Sequence, residues 1–252
     1  MTTSYFTSPE GRRLAYRATA PSRSDLTFVW LSGFKSDMSG TKATELESWA
    51  IKAGHGFLGF DYSGHGESDG AFEDGTISDW RADALAAIDA HSGGPIVLVG
   101  SSMGGWMALL SALARKDRVA GLVLIAPAPD FTEKLMWPEF SAEAQAEIMD
   151  KGFTLRPSDY DEPYTITRAL IEDGRTWQIL DAPIELDVPV RILQGMQDVD
   201  VPWKHAERLV TAITSDDLVF TLIKDGDHRL SRDQDIARLK ATCGDIAAAI
   251  TD

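Results

Sequence analysis

Residues 96–115 read IVLVGSSMGGWMALLSALAR. The opening run of aliphatic residues reads as a strand covered on both faces, and GGWMALLSALAR behind it has the spacing of a helix. Between them stands Gly100-Ser101-Ser102-Met103-Gly104, a G-x-S-x-G. That motif places a serine on a sharp strand-to-helix turn, with glycines on both sides because larger side chains would clash there. Ser102 is therefore the candidate nucleophile. Ser101 lacks the two-residue spacing to both glycines and reads as a packing or turn residue.

Working outward, similar apolar runs recur at 28–31, 57–60, 119–125, 190–193 and 218–223. Helical spacing lies between them. In Thr41–Ala53, Leu46, Trp49, Ala50 and Ala53 share a face, and Gly54 ends the helix. Ile77, Trp80, Ala84 and Ile88 repeat the pattern before Gly93 and Gly94. Strands alternating with helices predict an α/β protein with a mostly parallel central sheet and helices on both faces. The alternation breaks after Pro127 and resumes at Val190. In this gap Asp130 is expected to cap a helix with Glu133 reaching back, Ser141 to cap a second, and 165–173 to form a third before Gly174. The expected organisation is one domain over 1–252 with a helical cap inserted at about 127–185, since long insertions in compact domains commonly serve as lids.

The composition excludes several classes. With 44% hydrophobic and 25% charged residues in 252, the chain is long enough to bury a core and is not disordered. A net charge of −15 argues against nucleic-acid binding, which needs clustered Lys and Arg. The single cysteine, Cys243, has no internal disulfide partner and sits in ATCGDIAAAI, a buried helical face. No apolar run approaches the ~20 residues of a membrane span, and the first residues lack a leader pattern. A cytoplasmic protein is expected. Nothing in the sequence indicates an oligomeric state.

A serine hydroxyl needs a base, and the base needs an orienting acid. The acid is sought in LQGMQDVDVPW after the strand at 190–193, where Asp198 and Asp200 both qualify by position. Of the two histidines that follow, His205 lies in a helical pattern, VPWKHAERLV, where it reads as surface decoration, whereas His228 lies in the turn-rich KDGDHRLS after the strand at 218–223. His228 is therefore the expected base, with Asp225 and Asp227 as turn residues. An anionic tetrahedral intermediate also needs donors. These are expected to be the backbone N–H of Met103 and that of Phe34 in the loop LSGFKSD, after the first strand. Phe34 and, in the insertion, Trp137 are the expected substrate-binding side chains. His55 and His65 could suggest a metal pair, but no third ligand stands near them, so no metal and no cofactor are expected. Gly64 and Gly66 read as a tight turn at the edge of the site.

These segments resemble those of the α/β-hydrolases, and more narrowly of the ABHD-ten group, which includes a mitochondrial palmitoyl-protein thioesterase also called mycophenolic acid acyl-glucuronide esterase. The likeness runs through GTKA (40–43), DYSGHGESDG (61–70), GSSMGGWMAL (100–109), QGMQDVDVPW (194–203) and DHRL (227–230). It spans nearly the whole chain in order, least securely in the insertion. The family pattern G-x-x-D-x-x-V-P, at 195–202, favours Asp198 over Asp200, and the resemblance implies Ser102, Asp198 and His228 as a triad. It also implies hydrolysis of acyl thioesters or esters, including S-depalmitoylation or acyl-glucuronide cleavage, with a small-molecule or acylated substrate. Two features depart from the group: Ser32 stands where many relatives have a histidine before the oxyanion-loop glycine, and no mitochondrial transit segment is visible.

Other readings carry different signatures. A small-molecule carboxylesterase or a carbon–carbon bond hydrolase would use the same three residues. A non-catalytic binding protein on this fold would not need them. Dehalogenases and epoxide hydrolases use an aspartate where Ser102 stands.

Overall fold

The computed structural model describes residues 2–156 and 163–251. Its centre is an eight-stranded sheet in the order β1-β2-β4-β3-β5-β6-β9-β10. The strands are β1 (Ser4–Thr7), β2 (Arg13–Thr19), β3 (Thr27–Leu31), β4 (Gly56–Phe60), β5 (Ile96–Ser101), β6 (Val119–Ile125), β9 (Val190–Gly195) and β10 (Leu218–Ile223). From β4 to β10 every pairing is parallel, while β1 and β2 add an antiparallel edge. The expected α/β fold is the one found. The antiparallel pair was not expected, because RLAYRAT mixes charge into its alternation and lacks a continuous apolar run.

The period of two along each strand sorts side chains into two cores. In β3, Val29 and Leu31 join Leu58, Leu98, Leu122 and Ile192 on one face. Phe28 and Trp30 join Val97, Val99, Val123 and Leu193 on the other. The first face is covered by α2 (Ile77–His91), α3 (Met103–Ala114) and α6 (Trp203–Ala212), through Trp80, Trp106 and Leu209. The second is covered by α1 (Thr41–Ala53) and α7 (Asp233–Thr251), through Leu46, Ala50, Leu239 and the fully buried Cys243. Each such aliphatic or aromatic side chain contributes about 1.5–3 kcal/mol by leaving water. Helix α1 has the expected bounds and ends on Gly54 at φ 86°, where a Cβ would meet the Arg23 side chain.

Between β6 and β9 lie a π-helical turn (Thr132–Met136), a 3₁₀ turn (Trp137–Glu139), α4 (Ala142–Lys151), the antiparallel hairpin of β7 (Phe153–Arg156) and β8 (Tyr164–Thr167), and α5 (Arg168–Thr176). Residues 157–162 of the expected insertion fall outside the described residues. Ser141 caps α4 as expected, accepting from the Ala144 N–H at 3.2 Å. Three local expectations are corrected. Asp130 is not a helix cap: at φ 56° its carboxylate accepts the Ile179 and Leu180 N–H groups at 2.9 and 3.0 Å, tying the two ends of the insertion together. Glu133 pairs with Arg175 at 2.7 Å instead of reaching back. The segment 165–173 is strand and then helix, and Gly174 lies inside α5, where a Cβ would come within 2.3 Å of Thr132 Oγ1. No helix among the described residues is long and apolar enough to cross a membrane.

Candidate active site

Parallel strands deliver their C-terminal ends to one edge of the sheet, and the candidate residues gather there. Ser102 follows β5 at φ 56° and ψ −119°, outside the regions a side-chain-bearing residue favours. Its neighbours enforce the turn. A Cβ on Gly100 would stand 2.2 Å from the Gly104 carbonyl oxygen, and one on Gly104 2.0 Å from that of Leu31. Both glycines of the motif are thus demanded by backbone approach. The Ser102 N–H donates to the Ile125 carbonyl at 2.9 Å, and the Ser102 carbonyl accepts from Gly105 and Ala128 at 2.9 and 3.1 Å. Ser101, largely buried, ends β5 instead.

His228 leaves the loop after β10, where Leu230 at φ 44° reverses the chain and donates its N–H to Asp227 Oδ1 at 2.9 Å. Asp227 therefore acts as a turn residue, and Asp225 pairs with Arg232 at 2.8 Å. The acid loop after β9 is laced to this one. Met196 and Gln197 donate to the Ile223 and Gly226 carbonyls, and a Cβ on Gly195 would meet the Gly226 oxygen at 2.4 Å. That contact brings Asp198 beside His228.

Asp198 Oδ2 lies 2.8 Å from His228 Nδ1, and His228 Nε2 lies 3.1 Å from Ser102 Oγ. The Asp198 side chain is fully buried, and Oδ1 accepts the Asp200 and Val201 N–H groups at 3.0 and 2.8 Å. Asp200 contributes a backbone donor; its side chain is exposed. Gln194 Nε2 also donates to Asp198 Oδ2 at 3.0 Å. Gln194 was not singled out from the sequence, although an amide ending the apolar run VRIL was a signal. Asp198, Asp200 and His228 hold their ligand atoms within 4.8 Å of one another, as a metal site would. The Asp198–His228 distance follows from the hydrogen bond just described, and both Asp198 oxygens already accept two donors each.

Around Ser102 opens a cavity of about 500 Å³. Gly33, Phe34, Met103, Leu135, Arg156 and Tyr164 are among its walls. Among the described residues, no backbone carbonyl accepts the Phe34 or Met103 N–H. Met103 opens α3, so its N–H belongs to the first turn, where donors have no partner within the helix. The Phe34 ring packs between Phe72 and Phe131, at 4.8 and 5.5 Å between centroids. Trp137 does not take the expected position. It is not among the cavity walls, because the 3₁₀ turn at Pro138 directs its ring under Arg175, 4.8 Å away. Leu135, Met136 and Glu139 face the cavity in its place.

The other histidines have separate partners. His205 is buried rather than decorating a surface, with Nε2 2.7 Å from the Pro129 carbonyl. His55 Nδ1 meets Ser24 Oγ at 2.7 Å. His65 is buried against the loop that carries Phe34, and burial lowers its pKa to about 4. Lys42, on the cavity wall, donates to the Arg229 carbonyl, and burial lowers its pKa to about 8.

A half-buried hydroxyl facing a cavity from a strained turn, backed by an imidazole and a buried carboxylate, defines a nucleophilic hydrolase site. Residues 28–242 match the alpha/beta hydrolase family, and the chain belongs to that family. The human protein named palmitoyl-protein thioesterase ABHD10, mitochondrial, is 36% identical over 245 residues, covering 96% of this chain and 79% of that one. Mouse alpha/beta hydrolase domain-containing protein 10 superimposes with a TM-score of 0.90 at 34% identity, covering 99% of this chain and all of that one. A putative hydrolase from Agrobacterium vitis S4 gives a TM-score of 0.93 at 46% identity, covering 97% and 98% of the two chains. The chain is a hydrolase, and cleavage of ester or thioester bonds is the activity that its family and relatives support. The expectation of a cytoplasmic protein is overturned: the ABHD10 relatives are named mitochondrial.

Proposed function

We propose that the chain is a serine hydrolase that cleaves acyl thioesters and activated acyl esters through an acyl-enzyme, with Ser102 as nucleophile, His228 as base and Asp198 as orienting acid. The observation that carries the reading is the imidazole bridging Asp198 at 2.8 Å and Ser102 at 3.1 Å. With Nδ1–H donated to Asp198, Nε2 is free to accept the serine proton. Ser102 Oγ then bonds to the acyl carbon, and its proton passes to His228. The Phe34 and Met103 N–H groups receive the oxyanion. Collapse expels the thiolate or alkoxide, which takes the proton from His228. Water repeats the sequence on the acyl-enzyme, losing its proton to His228, and the acid and free Ser102 result.

Thiolates and stabilised alkoxides ask less of the general acid than amines do, so thioesters and esters are favoured over amides. The walls formed by Phe131, Leu135, Met136 and Tyr164 suit an apolar acyl chain. A second reading, cleavage of an ester whose leaving group bears a carboxylate, such as an acyl glucuronide, is favoured by Arg156. That side chain faces the cavity, though it is paired with Glu139 at 2.7 Å. Arg168 and Arg175 are engaged with Glu172 and Glu133 and are not among the walls. The test compares specificity constants for thioester, ester, amide and acyl-glucuronide substrates sharing one acyl chain. Thioester and ester lead in the expected result; an amide preference would overturn the reading. A fluorophosphonate should label Ser102 alone, and labelling at Ser101 would transfer the nucleophile.

A further inference from the structure

The loop that presents Phe34 has a support which the mechanism above does not use. Ser36 donates its N–H to the Gly33 carbonyl at 3.1 Å, closing a turn with Phe34 and Lys35 in the middle. Lys35 occupies the third place at φ 54°. A type II turn puts positive φ there and normally fills the position with glycine, so a lysine in it needs outside support. The turn also lies beside the nucleophile, since a Cβ on Gly33 would stand 3.4 Å from Ser102 Cβ.

His65 supplies that support. Its Nε2 lies 3.2 Å from the Lys35 backbone nitrogen and its Nδ1 lies 3.1 Å from the Ser63 carbonyl oxygen. A carbonyl only accepts, so Nδ1 must carry the proton, and Nε2 is left bare to accept the Lys35 N–H. The ring is held edge-on between Phe72 and Trp80, with centroids 5.2 Å from each. The His65 backbone N–H donates to the Tyr62 carbonyl at 3.0 Å. Asp61, from the same segment, accepts the Met38 N–H at 2.7 Å at the far end of the loop. The Lys35 ammonium lies over the Phe72 and Tyr164 rings, at 5.3 and 4.7 Å.

We propose that His65 is a positioning residue for hydrolysis: by accepting the Lys35 N–H it fixes the Phe34–Lys35 peptide and so aims the Phe34 N–H at the oxyanion formed on Ser102. The proposal rests on the Ser102 reading given above. It assigns the histidine of DYSGHGESDG to transition-state stabilisation, not to a metal or to proton transfer. The neutral state of the buried ring suits the task, because an imidazolium has no acceptor.

Two variants separate this role from packing. In His65→Phe the ring stays and the acceptor goes; in His65→Gln an amide oxygen returns near the position of Nε2. Misplacing an oxyanion donor by about 1 Å costs on the order of 100-fold, so His65→Phe should lower kcat on a thioester about 10- to 100-fold with KM within about twofold. A trifluoromethyl ketone carrying the same acyl chain should lose affinity by a similar factor, and His65→Gln should recover most of both. Fluorophosphonate labelling counts the competent sites. Label on Ser102 in wild type and variants keeps the serine reading whatever His65 does, and no label in wild type is the failure of that reading alone. An undiminished kcat per labelled site in His65→Phe, or equal changes in KM and kcat with no recovery in His65→Gln, would overturn the proposal. Should either variant fail to fold, nitrogen NMR of the ¹⁵N-histidine-labelled wild-type protein decides: the Nδ1–H tautomer is expected, and an Nε2–H tautomer would overturn it.

Discussion

At the C-terminal edge of the sheet, backbone contacts fix where side chains stand; in the insertion between 127 and 185, side-chain pairs at the surface do much of that work. Gly100 and Gly104 leave no room for a Cβ, and Gly195 and Gly226 bring the acid and base loops into contact. In the insertion the corresponding ties are ion pairs, Arg156 to Glu139 at 2.7 Å on the cavity wall and Arg168 to Glu172 at 2.8 Å within α5, with side chains about a third to just over half exposed. Exposed pairs of this kind contribute ~0–1 kcal/mol each. The sheet edge should tolerate almost no change and carry the chemistry. The insertion can vary, and should carry the selectivity.

The strongest way to break this contrast is at the elbow. Ser102→Ala should lower turnover by about 10⁴- to 10⁶-fold with an unchanged circular dichroism spectrum and melting temperature. A folded variant that retains turnover would end it. Next, Asp198→Asn should cost on the order of 10⁴-fold in kcat, while Asp200→Asn stays within a few-fold, since Asp200 offers Asp198 only its backbone N–H. Equal losses in two folded variants would move the orienting role.

Over the cavity the expected effects are smaller. Shortening Leu135 and Met136 to alanine together should shift the ratio of long- to short-chain specificity constants about tenfold, as an apolar pocket worth 1–3 kcal/mol allows. Trp137→Ala, at a ring turned toward Arg175, should leave that ratio within about twofold. Unchanged selectivity in the double variant would remove the insertion from substrate choice.

The smallest effect concerns Lys42. Burial lowers its pKa from 10.5 to about 8, so between those values the unfolded chain binds more protons than the folded one. Stability therefore gains a contribution from this group as pH rises from 8 toward 10.5. Denaturant titrations of wild type and Lys42→Met across that range should differ by this rise, and parallel curves would refute it.

The same contrast governs how much could be read beforehand. Strands β6 and β10 and helix α1 have the bounds that their residue patterns gave: β6 is a continuous apolar run buried in the parallel sheet, while β10, partly exposed at its edge, keeps the apolar and β-branched residues of a strand. Ser102 and His228 stood out through local punctuation, a glycine pair and a turn. Asp198 needed the family pattern to separate it from Asp200. Where a role depends on a contact distant in sequence, the residues alone were silent. Asp130 reads like a helix cap until Ile179 and Leu180 arrive beside it. Strand β8 is absorbed into the helix expected over 165–173 because its Ile166 stands at near-helical spacing from Leu170 and Ile171 of α5, all three buried. His65 meets Lys35 only when separate loops come together, and Gln194 reaches Asp198 only through the fold of its own turn.

The strained turn at Ser102 has a use outside catalysis. A backbone at φ 56° with a side chain attached costs on the order of 1–3 kcal/mol, and here it is held by Ile125, Ala128 and the close approach of Leu31 to Gly104. Those contacts come from two separate segments, the end of β3 and the end of β6 with the loop behind it, so they vanish together when the sheet edge opens. A covalent serine probe should then count native molecules, and the rate at which labelling is lost in denaturant or in cells would serve as a clock for unfolding of the sheet itself.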